Sequence, residues 1–159
     1  MDYLDQLGAL ALASRLRRLL NGLLSDGEKV YRSQKIDFAI SWFPIFHILA
    51  KGSPMSLTDI AKALGVAHPS VIEVTDEMTK KGYVGSRKGR DDKRRRYLFL
   101  TEKGEKIILK LKPIWEAFRE AGDEICGESG NDFLGSIGKL EKAMARFSMY
   151  DRISSRLND

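Results

Sequence analysis

The stretch LTDIAKALGVAHPSVIEVTDEMTKKGYVGSRKGRDDKRRRYLFLT, running from Leu57 to Thr101, decides the fold. It opens on a short helical pattern in which Ile60, Ala61 and Leu64 share one face. Ser56 or Thr58 stands at the cap position, Gly65 ends the run, and Val66 is expected to turn inward. A second helix is predicted over about 68–81. His68-Pro69-Ser70 starts it, with the proline in a first turn whose backbone donors lack intrahelical partners anyway. Val71, Val74 and Met78 fall on one face, and Lys80, Lys81 and Gly82 close the helix with cations and a glycine C-cap. Tyr83 to Lys88 and Arg96 to Leu100 then read as two strands around the charged loop from Gly89 to Arg95. Leu98 and Leu100 alternate onto an inner strand face, with Tyr97 and Phe99 on the other.

Short helix, tight turn, second helix and two-stranded hairpin, in that order, make a winged helix-turn-helix. The first helix braces the second, which then fits a major groove about 12 Å wide. The hairpin presents its cations to phosphates or to the minor groove. Charge agrees with that geometry. The whole chain of 159 residues carries +5, yet residues 80–96 alone hold nine Lys or Arg against Asp91 and Asp92, for +7. The remainder is slightly acidic. So dense a basic block repels itself unless a polyanion neutralises it or solvent screens it. Its position on the hairpin and at the end of the second helix favours nucleic acid over a merely solvated loop.

Outward from this centre the chain is helical, so the fold class is mainly α with a small β-hairpin wing (α+β). Leu4, Leu7, Leu12, Leu16, Leu19, Leu20 and Leu23 predict an amphipathic helix over 2–25, followed by a polar connection from Asp26 to Lys35. Trp42, Ile45, Phe46, Ile48 and Leu49 predict a core helix over about 40–51, with Ser41 as N-cap and Pro44 in its first turn. A helix over 102–124 contains Pro113, which is expected to bend it. Cys126 to Asp132 reads as a junction. Phe133, Ile137, Leu140, Met144 and Phe147 then give a last helix over 133–156 a coiled-coil-like seam. Three regions result: residues 1–35 and 102–159 as dimerisation helices, and 36–101 as the winged domain. Terminal amphipathic helices have little to bury against within so small a domain. Pairing two chains solves that and supplies the dyad that a palindromic site requires.

The same residues resemble the MarR family of bacterial transcription regulators. Leu57-Thr58-Asp59-Ile60-Ala61-Lys62-Ala63-Leu64-Gly65-Val66 is similar to the bracing helix and turn. Pro69-Ser70-Val71 and Met78-Thr79-Lys80-Lys81-Gly82-Tyr83-Val84 are similar to the recognition helix and its exit. Asp92-Lys93-Arg94 matches an Asp-x-Arg wing tip, and Leu100-Thr101-Glu102-Lys103-Gly104 the junction after it. The resemblance implies a homodimeric repressor of double-stranded DNA, located in the cytoplasm and needing no cofactor. Arg94 is then the minor-groove contact, positioned by Asp92. Arg87, Lys88, Arg90, Lys93, Arg95 and Arg96 are phosphate candidates. The face left to the groove is His68, Pro69, Ser70, Ile72, Glu73 and Asp76. Family members commonly carry a small polar residue at the position of Ile72 and Arg or Gln at that of Glu73. Here Ile72 suits a thymine methyl, and Glu73 suits either cytosine N4 or a neighbouring cation.

Many such regulators respond to small aromatic ligands. Trp42, Phe46 and Trp115, with Phe43 and Phe118, are the candidates for that crevice, although aromatics at helical spacing also make simple core. A finer resemblance joins Leu16-Arg17-Arg18-Leu19, Trp42-Phe43-Pro44 and Pro113-Ile114-Trp115 to the regulatory half of proteins fused to a GNAT acetyltransferase. These 159 residues leave no room for that second domain, so acetyl transfer is not carried over. Two rival readings stand beside the regulator: an interaction module that has lost DNA binding, and the regulatory partner of a separate acetyltransferase.

Other functions find little in the sequence. One cysteine, Cys126, excludes an internal disulfide framework and a multi-cysteine zinc site, and it stands far from the N-terminal position of thiol-sensing family members. Two histidines, His47 and His68, give no metal cluster, and His47 reads as a boundary residue of the core helix. There is no nucleophile motif or phosphate loop, no signal-peptide pattern, and no apolar run of membrane-spanning length. Neither a catalytic residue nor a membrane partner is expected.

Overall fold

The computed structural model describes residues 2–89, 95–130 and 132–158. Within it, the chain divides into two compact units, Met1–Ile108 and Leu109–Asp159. Helix α1 (Tyr3–Gln6) is capped by Asp2, and a one-turn 3-10 helix, Gly8–Ala11, follows. Gly8 takes φ +53°, which interrupts the single N-terminal helix that leucine spacing predicts.

Helix α2 (Leu12–Ser33) continues well past Asp26, so the expected polar connection is helical. Burial decides this. Gly27 and Tyr31, four residues apart, both face inward, and Tyr31 is 1% exposed. Their packing outweighs the poor helix propensity of the Asp-Gly pair. Ser41 is not an N-cap either. It lies inside a 3-10 turn, Ile40–Trp42, that leads directly into α3 (Phe43–Lys51), with Pro44 in the first helical turn as expected. The Ile40 amide is instead satisfied by Glu28, whose Oε1 accepts from it at 2.8 Å.

Strand β1 (Met55–Ser56) precedes α4 (Leu57–Leu64), α5 (His68–Lys80), β2 (Val84–Lys88) and β3 (Arg96–Leu100). The sheet order is β1-β3-β2, antiparallel throughout, with Met55 opposite Leu98 and Val84 opposite Leu100. The hairpin is therefore the larger part of a three-stranded sheet. A two-residue strand leaves too short an alternation to be read from sequence. Ser56 caps α4, accepting from the Asp59 amide at 3.1 Å, and Gly65 ends it at φ +65°.

The core of this unit gathers Tyr31, Phe38, Trp42, Phe46, Leu49, Ile60, Val71, Met78, Tyr83, Val84 and Leu98, all nearly inaccessible. Two inward expectations fail. Val66 is exposed, because the turn after Gly65 carries its side chain outward while its amide returns to Ala61. Thr75, rather than Val74, completes the buried stripe with Val71 and Met78. Thr75 can be buried because its hydroxyl donates to the Ile72 carbonyl at 3.0 Å.

Helix α6 (Glu102–Glu128) continues through Pro113 and takes Cys126 into its last turns, where a loop was expected. The second unit adds α7 (Phe133–Arg146) and α8 (Met149–Leu157). The single last helix of the sequence reading is thus two helices, because Ser148 starts afresh with a capping box to Asp151. The seam residues Phe133, Ile137, Leu140, Met144 and Phe147 are all exposed in the single chain.

Candidate nucleic-acid interface

Helix α5 owes its orientation to its inner stripe and to groups towards its C-terminal end. Its inner stripe packs into the core, and its C-terminus is closed by Gly82 at φ +75°, with the Tyr83 amide returning to the Met78 carbonyl at 3.0 Å. Lys81 pairs with Asp37 at 2.6 Å, and the Tyr83 hydroxyl donates to the Asp37 carbonyl at 3.0 Å. The Asp37 carboxylate raises the Lys81 pKa above its ordinary value, while burial pushes the Tyr83 phenol up. In the last turn of the helix, the Trp42 indole N–H donates to Glu77 at 3.0 Å. Glu28 and Trp42 together tie the segment between α2 and α3 to a neighbour on each side.

His68, Pro69, Ser70 and Glu73 are exposed on α5, whereas Ile72 and Asp76 are half-buried. On the hairpin, Arg87 and Lys88 are exposed near the end of β2, and Arg95 is exposed just before β3. The ladder continues beyond the Lys88–Arg96 pair, since the Gly89 amide donates to the Arg95 carbonyl at 2.8 Å. Arg96 is half-buried and lies 3.1 Å from Asp76, an ion pair that joins wing to helix. Arg90, Asp92, Lys93 and Arg94 lie outside the described residues. On β3, Leu98 is buried as expected. Phe99 covers Gly85, where a Cβ would come within 2.5 Å of its ring.

Trp42 and Phe46 belong to an aromatic cluster with Phe38 and Tyr83, at centroid separations of 5.2–6.2 Å. Trp115, half-buried, belongs to the second unit. His47 is half-buried with its ring 5.3 Å from that of Phe43. Among the described residues, no helix is long and apolar enough to cross a membrane.

The partners of Trp42, Asp37 and Arg96 escaped the sequence reading. One signal was there to be used: an indole N–H within an apolar helix needs a buried acceptor. Nothing local points to Glu77, 35 residues later.

A bracing helix, a second helix with an open outer face, and a cationic hairpin beside it define a winged helix-turn-helix. Residues 36–95 match the model of the MarR family, so this segment is a MarR family domain. The HTH-type transcriptional regulator Hpr of Geobacillus thermodenitrificans is 30% identical over 116 residues, 71% of this chain. The chain spans only 58% of that relative's length. Among solved structures, the S. aureus MepR–DNA complex superposes with a TM-score of 0.69 at 18% identity, covering 85% of this chain and 97% of that one. NMB1585, a MarR family regulator from Neisseria meningitidis, gives 0.58 at 23% identity, covering 98% and 99%. These likenesses establish the winged-helix fold.

Proposed function

We propose that this chain is a cytoplasmic transcription regulator that binds a pseudo-palindromic duplex as a homodimer and represses by occluding polymerase. One observation carries the reading. The outer face of α5 is open, and the adjoining hairpin sets Arg87, Lys88 and Arg95 out into solvent on the same winged unit. A helix of that kind suits a major groove, and the hairpin cations suit the flanking phosphates. Arg94, which lies outside the described residues, is assigned the minor-groove contact from its place in the Asp92-Lys93-Arg94 motif.

Dimerisation draws support from apolar side chains that each unit leaves uncovered. Leu16, Leu19, Leu20 and Leu23 of α2 are 42–60% exposed, and the α7 seam is similarly open. Burying a leucine stripe of that kind is worth about 1.5–3 kcal/mol per fully covered side chain. An aromatic effector is not required by this reading, since Trp42 and Phe46 already serve as packed core.

The test is a mobility-shift titration with duplex from upstream of the protein's own gene, across a salt series, with sedimentation to give the oligomeric state. Binding by a dimer is expected, and Arg94→Ala should cost about 1–3 kcal/mol of affinity. Lys88→Ala should weaken all duplexes alike and lower the salt slope by about one unit. Absence of binding at low salt would favour the interaction-module reading.

A further inference from the structure

We infer that Glu73 is a specificity-determining residue that accepts a hydrogen bond from the exocyclic amine of a cytosine in the major groove; this rests on the DNA-binding reading above. Helix α5 carries three carboxylates, Glu73, Asp76 and Glu77. The fold itself employs two of them. Asp76 is held by Arg96 at 3.1 Å, and Glu77 accepts from the Trp42 indole at 3.0 Å. Glu73 is exposed, and among the described residues it has no hydrogen bond or ion pair.

Its place on the helix is equally specific. Val71, Thr75 and Met78 define the buried side. Glu73 follows Val71 by two residues, which at 3.6 residues per turn puts it on the opposite side. It also lies in the N-terminal half of α5, the part of a recognition helix whose side chains reach base edges.

A carboxylate on that face is repelled by the phosphates of every duplex. It is compatible with tight binding only where a base offers it a donor. Guanine presents N7 and O6 and thymine presents O4, all acceptors, and each would face the carboxylate with like polarity. Adenine offers its N6 amine beside an N7 acceptor that an ionised carboxylate cannot satisfy. Cytosine N4 is the donor that suits Glu73. The residue thus selects by penalty: wrong bases leave its charge desolvated and unpaired. A dyad would repeat the requirement once in each half-site.

The experiment is selection from a random duplex library with the full chain, its E73A variant and its E73Q variant, followed by titration on the selected and a scrambled duplex. For the unaltered chain, one cytosine per half-site should be fixed, and replacing it should weaken binding about tenfold or more. E73A should lose the preference at that position and bind the scrambled duplex more tightly. E73Q should move the preference towards adenine, whose N6 and N7 a glutamine amide can engage together. If both variants keep the original preferences and merely bind every duplex more tightly, Glu73 acts only as a charge and the inference is overturned. If the unaltered chain enriches no duplex, the DNA-binding reading fails first and the inference falls with it.

Discussion

The carboxylate of Asp76 in α5 lies 3.1 Å from the guanidinium of Arg96, the first residue of β3. Two elements that would flank DNA are thereby fixed to each other by one charge pair. Both side chains are partly exposed, at 46% and 34%, so the pair contributes at most about 1 kcal/mol to stability. Its effect on binding is of another kind. An arginine held by aspartate is less available to phosphate. Asp76→Asn should therefore leave urea unfolding within about 1 kcal/mol of wild type while raising affinity for scrambled duplex. Arg96→Ala should change the salt slope less than Lys88→Ala does. Equal slope changes would show that Arg96 leaves Asp76 for the backbone of DNA.

The Trp42–Glu77 hydrogen bond makes a sharper prediction, because Trp42 is only 4% exposed. Glu77→Ala removes the acceptor and leaves an indole N–H without its partner in a nearly closed site, at a cost of about 1–3 kcal/mol. Trp42→Phe removes the donor as well as some packing against Phe38 and Tyr83. Once Trp42 is Phe, adding Glu77→Ala should cost clearly less than it does alone. Urea denaturation of the two single variants and the double variant measures this difference. Additive losses would show that the contact is not energetically coupled.

How much of this was legible beforehand follows from the range of each interaction. The bounds of α4 and β3 were readable because cap, periodicity and glycine stop all act within a few residues of one another. The continuation of α2 past Asp26 was not, since it depends on where Gly27 and Tyr31 are buried, and that is a tertiary fact. The division at Ser148 could have been read from the Ser148-to-Asp151 spacing, but the apolar seam across Phe147 masked it. For the interface, residue type and helical phase identified the outer face of α5. They could not show that Asp76 and Glu77 have partners and that Glu73 has none among the described residues, because the partners lie 20 and 35 residues away in sequence.

Gly104, near the start of α6, sits where a side chain cannot. A Cβ there would lie 2.2 Å from the Tyr83 carbonyl oxygen and 3.2 Å from its carbon. That carbonyl cannot readily retreat, since it accepts from the Thr101 amide at 3.1 Å and from the Thr101 hydroxyl at 3.2 Å. Gly104→Ala should destabilise the protein by about 1–3 kcal/mol through overpacking. Gly85→Ala should cost less, although its Cβ would meet Phe99 at 2.5 Å, because a half-buried ring can swing aside where backbone cannot. Thermal melts of the two variants give the order directly. A larger loss at Gly85 would mean that the Phe99 ring is more tightly held than its exposure suggests.

His47 brings pH into the stability of this core. Burial, and then the nearby Lys51 charge, lower its pKa below the ordinary histidine value. The unfolded chain, with its higher pKa, binds the proton more readily than the folded one. Stability is therefore full above the unfolded value of about 6.5 and declines as pH falls through it, until the folded form is protonated too. On acidification from about pH 7.5 to 5.5, the wild-type melting temperature should fall, and His47→Gln should reduce that fall. The two proteins differ only at residue 47, so the difference between their slopes belongs to His47. Identical slopes would place the sensitivity elsewhere and remove His47 from the account.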